Sequence, residues 1–167
     1  MRSKRSCHPV RVRSAWPLAL CVAWAHAALA QAPASAPSAA ELEGTSWQLV
    51  RFQGSDGAQL VPQERGRYLL AFAAHGELSA RIDCNRGSGT WSTPEPGRIS
   101  FGALATTRAT CPSGSLYDQI VAQWGNVRFY VLKDGHLFLT LTAGGTYEYE
   151  PLPVEAATAA TKGEPAR

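Results

Sequence analysis

Two short segments, Asp83-Cys84-Asn85-Arg86-Gly87-Ser88-Gly89-Thr90-Trp91 and Thr106-Thr107-Arg108-Ala109-Thr110-Cys111-Pro112, constrain this chain most. They carry the only two cysteines left once the first 30 residues are set aside. Whether two thiols pair depends on the compartment they reach, so the N-terminus has to be read before the cysteines.

Arg2, Lys4, Arg5, Arg11 and Arg13 make a basic start without an acidic residue, and an apolar stretch rich in Ala, Leu and Val runs from Ala15 to Ala30. Ala28-Leu29-Ala30 before Gln31 is the small-x-small pattern that signal peptidase cleaves. Trp16, Pro17, Trp24 and His26 interrupt the stretch, leaving it short of the roughly 20 apolar residues of a membrane span. Residues 1–30 are therefore expected to be a signal peptide, and the mature protein periplasmic or secreted with no transmembrane span. A weaker alternative is a lipoprotein anchored through Cys21. Leu18-Ala19-Leu20-Cys21 is similar to an acylation box, although Leu20 is large for its position.

Cleavage would change the sign of the charge. The whole chain holds sixteen cations and thirteen anions, a net of +3. Five of those cations lie in the leader, so eleven remain against thirteen anions, a net of −2. The remaining arginines stand singly, with no basic run or stripe, which argues against nucleic acid binding.

After the cleavage site, residues 31–42 open with an Ala/Pro/Ser-rich stretch that cannot bury enough apolar surface to order itself, and read as a linker. Residues 151–167, rich in Pro and Ala with scattered charges, read as a disordered tail. Between them, residues 43–150 are the size of one small domain.

Dense turn signals between short segments point to antiparallel β structure. Trp47 and Leu49 alternate with Gln48 and Val50; Tyr68 to Phe72 follows, then a turn at His75-Gly76. Leu78, Ala80 and Ile82 fall on one strand face by period-two spacing. Gly87 to Trp91 and Ile99 to Phe101 flank a turn at Pro94 to Gly97. Val127 to Leu132, Leu137 to Leu141 and Thr146 to Tyr149 are joined by Lys133-Asp134-Gly135 and Gly144-Gly145, both hairpin signals. One segment departs: Leu116, Ile120, Val121 and Trp124 share a helical face. Ser115 with Asp118 resembles a capping box, and Gly125 suits a helix stop. The expectation is a mainly β (α+β) fold. It is an antiparallel curled sheet or partly open β-barrel, with one amphipathic helix near residues 113–124; a flat sheet with a helix on one side is the alternative.

In an oxidising compartment Cys84 and Cys111 are expected to pair. Closing that loop stabilises the fold by roughly 3.5 kcal/mol in the chain-entropy model. A nucleophilic cysteine would need an adjacent base, and the mature chain offers only His75 and His136, both in expected turns. The same shortage argues against a zinc site, since no usual ligand spacing is present.

The order strand, Cys84-Asn85-Arg86, Gly89, Trp91, then Leu104-Ala105-x-Thr107-Arg108-x-x-Cys111, a helix with Asp118 and closing strands resembles the META domain family, which includes the heat-shock-associated HslJ-like envelope proteins. Gly44-Thr45-x-Trp47-x-Leu49 and Leu137-x-Leu139 extend the likeness over about Gly44 to Tyr149. Two positions depart from the family pattern: Asp83 stands where glycine is usual before the Cys-Asn pair, and Gly87 where an aromatic is usual. The resemblance implies an exported β domain with one helix, linked to heat or antibiotic stress, motility or virulence, with no common reaction.

Several motif residues have readable physical roles. Asn85 suits an Asx-turn or a left-handed conformation. Gly87 and Gly89 permit close backbone approach. Thr107 can bond loop backbone, and Arg108 can bridge carbonyls or a carboxylate such as Asp83. The candidate interaction residues are Asn85, Arg86, Gly89, Trp91, Thr107 and Arg108. The favoured function is a non-enzymatic, monomeric envelope module that binds another protein through a patch near Arg86 and Arg108, with no cofactor or metal. The alternative is a carrier of a small apolar ligand at the barrel mouth or interior, lined by Trp47, Trp91, Trp124 and Tyr130. No paired carboxylates, serine elbow or phosphate-binding loop argues for an enzyme.

Overall fold

The structure, a computed structural model, describes residues 38–152. The expected signal peptide, most of the expected linker and most of the expected tail lie outside the described residues. Ten strands form the domain: β1 (Thr45–Gln53), β2 (Gln59–Leu60), β3 (Tyr68–Phe72), β4 (Glu77–Ile82), β5 (Asn85–Ser92), β6 (Ser100–Phe101), β7 (Ala105–Thr106), β8 (Val127–Lys133), β9 (His136–Leu141) and β10 (Thr146–Pro151). A single α-helix, α1 (Tyr117–Gln123), sits between β7 and β8.

All pairings are antiparallel, in the order β6-β5-β4-β3-β1-β10-β9-β8, with β2 beside β1 and β7 beside β5. The two ends of that order nearly meet. One isolated bridge, Arg98 to Phe129, spans the seam, with Ile99 N–H donating to Arg128 O and Tyr130 N–H donating to Gly97 O, each at 3.0 Å. The sheet is thus a β-barrel with one incompletely sealed seam, and the flat-sheet alternative does not hold.

Alternation decides the inside of the barrel. Leu78, Ala80 and Ile82 are all buried, as their spacing predicts, and so are Tyr68, Leu70 and Phe72 on β3. In β1 the alternation runs Trp47, Leu49 and then Phe52, because a bulge between Leu49 and Arg51 shifts the register against β10. An extra residue on one strand lets the next large side chain return to the core side. A second bulge, between Val127 and Phe129, turns Phe129 and Val131 outward and Tyr130 inward.

The helix buries the predicted face, with Ile120 and Trp124 inside and Leu116 and Val121 packed on the margin. Its ends differ from the sequence expectation. Leu116, not Ser115, is the N-cap, and Ser115 Oγ accepts from the Tyr117 N–H at 3.2 Å. Gly125 lies inside a 3₁₀ turn, Trp124–Asn126, that leads directly into β8, so no left-handed glycine ends the helix. Trp124 donates its indole N–H to Gly102 O at 3.1 Å and packs against Phe101 with ring centroids 4.7 Å apart. The helix thereby closes over the side chains of Phe101, Leu139 and Tyr147. Burial pushes the Tyr147 hydroxyl up to about 12, so it stays a neutral donor, and it donates to Gln123 Oε1 of the helix.

Both domain limits are wider than the sequence suggests. Leu42, assigned to the linker, is fully buried in the core, and Ala39 packs against it. At the other end Pro151 still pairs with Trp47 in the β10–β1 ladder, and Leu152 N–H donates to Ser46 O at 2.8 Å. A single buried leucine next to an Ala/Pro/Ser stretch is too weak a pattern to mark the start of a domain.

Candidate functional site

Cys84 follows β4, and Cys111 lies in the loop before the helix. The two are joined by a disulfide with their Cα atoms 5.5 Å apart. Neither sulfur is a free thiolate, so a cysteine nucleophile has no place here. Beside the bond, Asn85 is fully buried. Its side-chain oxygen accepts from the Thr107 hydroxyl at 2.9 Å and from the Ala109 N–H at 2.8 Å. Its amide nitrogen donates to Ala109 O at 3.0 Å and faces Cys111 Sγ at 3.3 Å. One buried amide therefore satisfies both the donor and the acceptor of the Ala109 backbone, and in doing so meets its own need for partners in the interior.

This corrects the expected role of Asn85. It begins β5 in an extended conformation and bonds across to another loop rather than to its own turn. The left-handed residue is Asp83, at φ 55°, in the position where the resembling family has glycine. Asp83 is itself buried and pairs with Arg67, Nη1 to Oδ1 at 3.1 Å, while its N–H donates to Arg67 O at 2.7 Å. Arg67, not Arg108, is thus the partner of Asp83. The sequence could not show this, because Arg67 lies in a 3₁₀ turn sixteen positions upstream of Asp83, with no periodic relation to it.

The two glycines act as expected. A Cβ on Gly89 would lie 2.9 Å from Ala103 O, and one on Gly87 would lie 3.0 Å from the Leu104 side chain. The segment 103–106 lies directly over β5 for that reason. Trp91 is a core residue, packed edge-on to Phe72 with centroids 5.1 Å apart, its indole N–H donating to Ala73 O at 3.4 Å.

Of the six candidate interaction residues, Asn85, Gly89 and Trp91 face inward, and Arg86, Thr107 and Arg108 face solvent. The three exposed ones are brought together. Arg86 N–H donates to Thr107 Oγ1 at 3.0 Å, and Thr107 N–H donates to Arg86 O at 2.9 Å. Arg86 is paired across the strands with Arg81 of β4, and Arg108 follows Thr107 in the chain. Next to them an open hollow of about 600 Å³ is lined by residues 108–115 with Tyr117 and Asp118. Among the described residues, neither Arg86 nor Arg108 forms an ion pair, and no three His, Cys, Asp or Glu side chains converge to hold a metal. No described helix is long and apolar enough to cross a membrane.

The architecture is that of a small β-barrel capped by one helix and stapled at the loop pair before that helix. A META domain profile matches residues 40–153, and the chain belongs to the META domain family. No curated protein matches the chain. Among solved structures it is similar to the NMR structure of a protein from Burkholderia xenovorans, at 23% identity and a TM-score of 0.61, over 74% of this chain and 93% of that one. A second NMR structure matches at 19% identity and a TM-score of 0.52, over 68% and 94%. A DUF4847 family protein from Bacteroides vulgatus matches at 16% identity and a TM-score of 0.49, over 65% and 93%. At these identities the first two matches bear on the fold alone.

Proposed function

We propose that the protein is an exported, non-enzymatic envelope module that acts by binding, in stress tolerance or assembly, and that it meets its protein partner through the surface of Arg86, Thr107 and Arg108. One observation carries this reading: two exposed arginines without ion-pair partners among the described residues, Arg86 on β5 and Arg108 in the loop beside it, with Arg86 hydrogen-bonded to Thr107, the residue before Arg108. Their backbone is fixed by Asn85 and the disulfide, so little ordering cost would oppose docking. Guanidinium groups in that position suit a carboxylate-bearing partner. In a chain of net −2 after cleavage, such a patch is a local feature and not a general positive field.

The carrier alternative has no comparable observation behind it. Trp47, Trp91, Trp124 and Tyr130 are all buried among other side chains. The cavity under the helix, lined by Phe101, Ile120, Trp124, Leu139 and Tyr147 among others, holds about 10 Å³, barely the space of one water.

The test is photo-crosslinking in intact cells from a reactive residue placed at the exposed Thr110. Discrete protein adducts are expected, and Arg86→Glu with Arg108→Glu should abolish them while leaving the melting temperature unchanged. Adducts that survive the double reversal, or their absence from the unaltered protein, would overturn the reading.

A further inference from the structure

On the outer face of β1, β3, β4 and β5, two rows of side chains cross the strands. Ser46, Ala71, Ser79 and Ser88 are mutual neighbours in register, and so are Gln48, Leu69, Arg81 and Arg86. The first row is uniformly small and the second is tall. The result is a trough of about 190 Å³ lined by Ser46, Leu69, Ala71, Ser79, Arg81 and Arg86, with Leu152 at its β1 end. Leu152 is the last described residue, and fifteen more follow it.

We propose that this trough seats the protein's own C-terminal segment, residues 153–157, and that Glu155 of that segment meets Arg86. Four observations lead there. The ladder hydrogen bond from Leu152 to Ser46 delivers the chain to the trough on the correct face. The next position, 153, would stand opposite Thr45, the first residue of β1, so the β1 ladder runs out there. The residues after it, Val154-Glu155-Ala156-Ala157, are small and apolar around one carboxylate, which matches a floor of serine and alanine with arginines along one wall. Distance allows it: four inter-strand steps of about 4.8 Å separate the β10 side of β1, where Leu152 lies, from β5, three extended residues carry the chain roughly 10 Å to Glu155, and the long Glu155 and Arg86 side chains span the rest. Because Arg86 belongs also to the proposed partner surface, a seated tail would compete with the partner. That consequence rests on the proposed function; the seating itself does not.

The experiment compares methyl NMR spectra of the protein with its C-terminus intact and of a variant ending at Leu152. The Leu69 and Ala71 methyl signals should differ between the two, and Glu155→Arg should move them towards the truncated positions. Combining Arg86→Glu with Glu155→Arg should restore the original positions, because the charges are exchanged and the contact is kept. Identical Leu69 and Ala71 shifts with and without the tail would overturn the proposal. So would shifts that change on dilution, which would mean that a second copy fills the trough. The crosslinking experiment separates the two readings. If the tail seats but no adducts form, the partner reading fails and this one stands. If adducts form with equal yield whether or not the tail is present and the methyl shifts do not move, only this one fails. With both correct, removing the tail should raise adduct yield several-fold.

Discussion

Around Asn85, a disulfide and three hydrogen bonds of 2.8–3.0 Å gather in a place closed to solvent. Around Glu148, on the outer face of β10, an ion pair with Arg51 at 2.7 Å and a hydrogen bond with His136 at 2.9 Å lie near the surface. By distance alone the Glu148 cluster looks the stronger. By environment it is the weaker, because Glu148 is largely buried but both of its partners, Arg51 and His136, stay partly exposed, where water screens the charge and can replace the contact. The Asn85 amide is fully buried, so its hydrogen bonds are shielded from water and act at full strength. The difference separates what holds the domain together from what decorates it.

The largest effect is expected at the covalent staple. Cys84→Ser should lower stability by about 3.5 kcal/mol, and the Cys84→Ser, Cys111→Ser double variant should match it within error. Thermal melts that coincide for all three proteins would remove the staple from the comparison. Next comes Asn85→Ala, which removes the acceptor of the Thr107 hydroxyl and the partner of both backbone groups of Ala109. A loss of about 2–3 kcal/mol in chemical denaturation is expected; a loss near zero would mean that water replaces the amide. The smallest effect belongs to Glu148→Gln, which should cost less than about 1 kcal/mol and should shrink further in high salt. A loss there equal to that at Asn85 would invert the ranking.

Much of the fold was legible because local patterns carried it. The Leu78, Ala80, Ile82 alternation, the Asp134-Gly135 hairpin and the Ile120–Trp124 face each express a constraint that acts within a few residues. Gly87 and Gly89 also showed themselves, since only a neighbour pressed against the backbone makes two such glycines useful in one strand. The candidate site was half legible. The motif named the right segments, but a segment does not say which of its side chains face inward. In β5 it is Asn85 and Trp91 that do, and the arginine beside Asn85 that does not.

An antiparallel β domain with one helix and a cysteine pair could be read from the residues alone, because periodicity and turn chemistry are properties of neighbours in the chain. Everything else came from the packing of distant segments. Bulges in β1 and β8 reset which residues point outward. Arg67 rather than Arg108 reached Asp83. Leu42 and Leu152 joined the domain from segments that read as linker and tail. Arg86 and Thr107, twenty-one positions apart, became hydrogen-bonded neighbours. Each of these depends on how distant strands meet when the sheet curls, and a register between distant strands is set by packing the whole core.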